Sequence, residues 1–339
     1  MRRIVMSAYA QAMIAVAISF GLAGANAPLV LIHRTPLPGV KGDFDHFAAD
    51  VKGNRLFLTA EDHHSVEVFE LRSGKLLRSV GGFSTPHSIL FMPEKNELFV
   101  IDGGDGTCKV LRGDNYQIVK TIKVGPEADS MVYDPSTKHL FITAGGEDAK
   151  MDHSLIVVID AGTGNNAGEM EVNSGNIEAM AVEKSGPRLF ANIRDKRQIG
   201  VIDRVKMTLL ATWPLDGVQQ NTPMVLDEAN HRLLIVGRKP GKLVVMNSDS
   251  GKIISTVSCV DGADDMTLDI PSNRLYITGA EGFADVFERL SPERYQFSGK
   301  VPTGFRGKNS ILVPELKQFY AAVSAHENKP PELKVYRVQ

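Results

Sequence analysis

Only two cysteines, Cys108 and Cys259, occur in the 339 residues, and they fall in the second and fifth of seven repeats. A ring of repeats places those two far apart, so no disulfide is expected between them even in an oxidising compartment. The first 25 residues hold no cysteine, which leaves no lipoprotein attachment site there. Charge of either sign is not in excess: 38 Lys and Arg face 40 Asp and Glu, a formal −2. Nothing in that balance draws the chain to nucleic acid or to an anionic membrane, both of which reward a basic surface. Low-complexity tracts, heptad runs, amphipathic helical stretches and a Gly-x-Ser-x-Gly elbow are all missing. Gly103-Gly104-Asp105-Gly106 and Gly145-Gly146 resemble phosphate loops only superficially; no helix pattern follows them, and they read as turn glycines.

One long apolar run is present, Ala8 to Leu22, behind Arg2-Arg3 and free of Asp and Glu. It falls short of the ~20 apolar residues of a spanning helix, so residues 1–25 read as a secretory signal peptide and 26–339 as the mature chain. A retained membrane anchor is the competing reading. Ala23 and Ala25 favour a cut after Ala25, because a cut after Ala27 would leave Pro28 directly behind it. Losing Arg2 and Arg3 takes the balance from 38 against 40 to 36 against 40, a mature charge of −4. A periplasmic or secreted monomer with no further transmembrane segment is expected. The export route stays open, since Arg2-Arg3 fits twin-arginine export and Ile4-Val5 does not.

What the chain does contain is repetition. Asp129-Ser-Met-Val-Tyr-Asp-Pro-Ser-Thr-Lys-His-Leu-Phe-Ile-Thr143 returns as Asp45-His-Phe-Ala-Ala-Asp50 with Arg55-Leu-Phe-Leu-Thr59, and as Asp264-Asp-Met-Thr-Leu-Asp269 with Arg274-Leu-Tyr-Ile-Thr278. Looser copies start at His87, Glu178, Thr222 and Asn309, so equivalent positions are spaced by 42, 42, 49, 44, 42 and 45 residues. A period of about 40 to 45 suits four short strands per unit, and seven such units predict an all-β, seven-bladed β-propeller. In the third repeat strand A is Ser130 to Tyr133, B is Leu140 to Thr143, C is Ser154 to Asp160 and D is Gly168 to Val172. The wide step of 49 comes from the connection Ala144 to His153, an insertion between B and C. The last repeat offers A near Ile311 to Val313, B near Phe319 to Val323 and C at Glu332 to Arg337, and has no fourth strand. Leu29 to Arg34 belongs to no repeat, so it is expected to complete blade seven and close the ring, removing the open edges.

Thr121-Ile-Lys-Val-Gly125 leading to Asp134-Pro135, Leu140-Phe-Ile-Thr143 and Val157-Val-Ile-Asp160-Ala-Gly-Thr163 resembles the YVTN-type repeat of bacterial YncE-like propellers. The similarity covers essentially the whole mature chain. It implies an exported seven-bladed propeller, with roles in such proteins spanning ligand binding, surface proteins and cofactor-handling enzymes. The motif is specific for architecture only, because a propeller is a scaffold for unrelated functions.

The chain departs from that repeat at the start of strand A, where Gly or Pro and an apolar residue are usual. Here stand Asp45-His46, His87, Asp129, Glu178, Thr222, Asp264-Asp265 and Asn309. Strand A is innermost, so these residues should converge on the mouth of the central channel. The loops ending on the same face add His63, His64, Asp102, Asp152, His153, Arg194, Arg238, Glu281, Arg306 and His326. A wet channel mouth needs no ligand. Crowded carboxylates, however, raise one another's pKa unless a cation, an arginine or a function offsets the repulsion. Either a divalent ion on Asp129, Glu178 and Asp264, or Arg194, Arg238 and Arg306 folded over the ring, would do so. Oxygen ligands favour calcium or magnesium, and an imidazole shifts the choice toward zinc or manganese. His63-His64 is not expected to chelate, because strand alternation would send adjacent side chains to opposite sides. Asp50, Asp134, Asp227 and Asp269 precede turns and read as caps.

Two functions fit. One is a binding module whose funnel takes a small ligand or a partner's loop. The other is a metal-dependent lyase or hydrolase, similar to lactonase-type propellers, with His46 or His87 moving the proton.

Overall fold

The computed structural model describes residues 27–339, and the expected signal peptide and its cleavage site lie outside them. Seven four-stranded antiparallel sheets follow one another around a ring. Blade 1 is β2 (Phe44–Asp50), β3 (Arg55–Ala60), β4 (Ser65–Glu70) and β5 (Leu76–Gly81). Blades 2 to 6 repeat that order from β6 (Pro86–Met92), β10 (Met131–Asp134), β14 (Ile177–Val182), β18 (Asn221–Asp227) and β22 (Ala263–Asp269). Blade 7 has the order β26 (Ser310–Val313), β27 (Gln318–Val323), β28 (Glu332–Val338), and its fourth strand is β1 (Leu29–Pro36). β1 runs antiparallel to β28 with Leu29 opposite Val338 and Pro36 opposite Glu332, so the ring closes as the incomplete last repeat requires.

Burial follows strand position. In blade 3 the third strand, β12 (Ser154–Asp160), is almost wholly buried, whereas the outer β13 (Asn165–Val172) is exposed along most of its length. A middle strand is covered by both neighbouring blades and can be apolar throughout, while a rim strand meets water. The core accordingly divides into seven clusters, each shared by two adjacent blades. Leu98 and Phe57 lie in the cluster between blades 1 and 2, for example, and Tyr320 and Phe44 in that between blades 7 and 1. Cys108 and Cys259 are both free thiols, Cys108 fully buried in the cluster between blades 2 and 3.

The predicted turn caps are found, and two of them also reach a second blade. Asp134 accepts from Ser136 and Thr137, and its other contact is Arg204 of blade 4 at 2.8 Å. Asp227 likewise binds Asn230 in its own turn and Arg289 of blade 6 at 2.6 Å. Asp50 holds Arg55, whose guanidinium also meets Asn96 of blade 2. Among the described residues no helix is long and apolar enough to cross a membrane.

Candidate functional site

The residues at the mouth are aimed there by a recurring irregularity. Strand A slips register against strand B between Phe44 and Phe47, Pro86 and Ile89, Ile177 and Met180, Asn221 and Met224, and Ala263 and Asp265. A bulge of this kind bends the strand and turns a side chain away from its ladder position. The slips contain Asp45 and His46, His87 and Ser88, Glu178 and Ala179, Thr222 and Pro223, and Asp264. A threonine near the end of strand B caps the start of strand A: Thr59 Oγ1 accepts from the His46 N–H at 2.9 Å within the slip, and Thr143 Oγ1 accepts from the Ser130 N–H at 3.0 Å in blade 3.

These strand starts enclose a cavity of about 190 Å3 walled by Asp45, His46, Glu61, His87, Asp129, Glu178, Thr222, Arg238, Asp264 and Lys308, among others. Its charges are compensated unevenly. Glu178 is held by Arg194 at 2.5 Å. Asp264 receives Lys308 at 2.8 Å, Arg238 at 3.2 Å and Asn309 at 3.2 Å. On the other side His87 Nδ1 lies 3.0 Å from Asp45 and 3.8 Å from Asp129, while His46 bridges Asp45 and Asp265 at 3.3 Å each. Asp45, His87 and Asp129 each place one ligand atom within 4.8 Å of the others. Of the trio expected from sequence to hold a metal, that group contains Asp129 alone; Glu178 and Asp264 are occupied by the cations named above.

The electrostatics follow from this crowding. Burial pushes the Asp45 carboxyl up, but His46, His87 and Lys308 outweigh it and hold the group well below the usual carboxylate range. Burial lowers His87 and His46 in turn, and their carboxylate neighbours more than reverse it: His87 is pushed up to about 9 and His46 well above its ordinary value. Glu178 is raised to about 7 by burial and the Asp129 charge, which together outweigh Arg194. Glu61 is also raised to about 7, by burial and by Asp45. Asp129 is raised as well, being surrounded by the funnel wall and close to Asp45, although 39% of its side chain still meets the cavity water.

Other residues expected at the mouth have local roles. Asp102 is fully buried on Lys109 at 2.6 Å, and Asp265 accepts from the Ser310 N–H at 2.8 Å. Arg306 stands back from the cavity on Asp43, which also holds Ser324 and so ties blade 1 to blade 7. Asp152 and His153 pair with each other at 2.8 Å in the exposed insertion, Glu281 pairs with Lys300, and His326 stacks on Phe305. His63 and His64 lie in the turn between β3 and β4, not on a strand; His64 is left-handed there and meets the Ser84 carbonyl, so the alternation argument does not apply. Sequence reasoning missed Glu61, Lys308 and Asp43. Lys308 directly precedes Asn309 of the inner ring, and Glu61 directly follows strand B, so their positions carried the signal.

No family model matches the chain, and no curated protein does. Similarity to solved structures is broad, with 1712 chains matching, as expected of a common scaffold. A chain of Kuenenia stuttgartiensis hydrazine synthase superposes with a TM-score of 0.75 at 18% identity, over 89% of this chain and 98% of that one. A chain of the mitotic checkpoint complex gives 0.75 at 14% identity, over 99% of each. At such identities the likeness carries the fold alone: the chain is a seven-bladed β-propeller.

Proposed function

We propose that the protein is an exported propeller, similar to YncE-like ones, that binds a small ligand at its channel mouth through a divalent cation on Asp45, His87 and Asp129. The observation that carries this reading is the convergence of those three donor atoms within 4.8 Å at the wall of the polar cavity. The other two inner-ring acids already have arginine or lysine partners, whereas Asp129 has, among the described residues, only His87 at 3.8 Å, so added positive charge beside it offsets repulsion there. One imidazole among carboxylates favours zinc or manganese over calcium and magnesium. A cavity of about 190 Å3 is below the ~300–1,000 Å3 of drug-sized sites, which favours a small ligand over a protein loop.

Metal analysis of purified protein, followed by melting curves with zinc, manganese, calcium and magnesium, tests this. A metal that binds only the folded chain adds about 2.7 kcal/mol at a hundredfold excess over its Kd. Asp129→Asn and His87→Gln should each abolish the rise, and Glu178→Gln should keep it. Metal-free protein whose melting curve ignores all four ions would falsify the metal reading.

A lyase or hydrolase is the second reading, and one feature favours it: Glu61, with its carboxyl near 7, lines the same cavity as the trio. A group poised near the working pH suits general acid–base catalysis beside a metal that polarises a carbonyl. Turnover of lactones or esters that is lost with chelator and in Glu61→Gln would establish it.

A further inference from the structure

Arg238 belongs to two cavities. It walls the channel mouth, and with Arg194, Gln220 and Lys239 it also walls a neighbouring open cleft of about 520 Å3 between blades 4, 5 and 6. Its charge is not required to neutralise Asp264, because Lys308 at 2.8 Å and Asn309 at 3.2 Å already serve that carboxylate. The Arg238 guanidinium has its one charge contact with Asp264, at 3.2 Å, and no side-chain hydrogen bond among the described residues. Arg194 donates to Glu178 through a single nitrogen. Both side chains stay about a quarter exposed, 22% and 25%.

A guanidinium carries five N–H donors in a planar fork that fits the two oxygens of a carboxylate or phosphate. Most of the donors of Arg194 and Arg238 therefore have no protein partner among the described residues, and both side chains line the cleft. The acids in the cleft do not use them: Asp261 accepts from the Gly241 N–H at 2.5 Å, and Glu281 pairs with Lys300 at 3.4 Å.

We infer that Arg194 and Arg238 form an anion-recognition subsite, and that the ligand of the channel mouth is a small molecule carrying a carboxylate or phosphate group. The anion lies on the two guanidinia with Lys239 nearby, and the rest of the ligand extends past Arg238 toward Asp45, His87 and Asp129. This rests on the mouth being the binding site, but the anion grip does not require the metal.

Calorimetric titration of the full chain, with and without zinc in a low-salt buffer, would use three probes: succinate, inorganic phosphate and neutral succinamide. Saturable binding of succinate or phosphate is expected, with no binding of succinamide; the stronger anion names the group. Arg238→Gln and Arg194→Gln should each weaken that binding at least tenfold while leaving the zinc-induced rise in Tm intact. Should Arg238→Gln fail to fold, Arg194→Gln and Lys239→Gln carry the comparison. The inference is overturned if neither anion binds, if succinamide binds as tightly, or if the arginine variants bind the anions as well as the parent chain. A zinc response without anion binding ends this inference and spares the metal reading; anion binding by protein whose melting curve ignores all four ions does the reverse.

Discussion

His87 stands between two carboxylates and keeps its proton to about pH 9, whereas in the unfolded chain it titrates near 6.5. A raised folded pKa means that the stabilisation is fully present below 6.5 and is lost as pH rises through 9. Glu61 and Glu178, raised to about 7 from 4.5, act in the same direction, since the folded state holds their protons more tightly between those values. Metal-free protein should therefore lose stability steadily from pH 5 to pH 9. Urea midpoints measured across that range check it, and a flat or rising profile contradicts it. His87→Gln should lessen the slope above pH 7 without abolishing it, because His46 is raised as well. Zinc should flatten that part in the parent chain, because the metal takes the place of the proton. The crowding behind this was legible from Asp45, His87, Asp129, Glu178 and Asp264 recurring at one position of the repeat. Their pairing was not, because which acid meets Arg194, Arg238 or Lys308 depends on loop paths that no repeat encodes.

Strands B and C lie close to their sequence-derived spans, since continuous apolar runs between turns locate them. Strand A in blade 3 was expected over Ser130 to Tyr133 and runs Met131–Asp134; strand D was expected from Gly168 and begins at Asn165, ahead of a register slip. Bulges have no composition of their own here, so the slips that aim Asp45, His87 and Glu178 stayed hidden. The turn acids were read as local caps, yet Asp134 also fastens blade 3 to blade 4. Truncating it strands Arg204, only 5% exposed at its side chain, without its charge partner. Leaving one member of a buried pair uncompensated costs about 3–5 kcal/mol. Asp160→Ala, which removes only bonds to Thr163 in an exposed turn, should cost about 1 kcal/mol. Chemical denaturation of the two variants separates a fastening acid from a simple cap, and neither change should alter the response to zinc.

The ring was the most legible feature, because seven spaced copies and one strand short at the end leave few other topologies. Deleting residues 28–35 removes β1 and bares the edge of β28, with Leu29 lost from the cluster it shares with Tyr276 and Tyr336. A clear drop in Tm and concentration-dependent association are expected, since unpaired edges recruit other strands; an unchanged melting curve and elution volume would contradict the closure. Six of the seven blades are meanders whose strands are neighbours in sequence, and each can form as its segment becomes available. Blade 7 cannot, because it joins the first described strand to the last three. That one sheet gives an otherwise local fold its high-contact-order step, so closure is expected to be the slow event of folding. Until it happens, the clusters flanking blade 7 stand half built and open to solvent. Once it has happened, parting β1 from β28 is the expected first step of unfolding, and a clasp of that kind would govern the protein's lifetime as a rate rather than as an equilibrium.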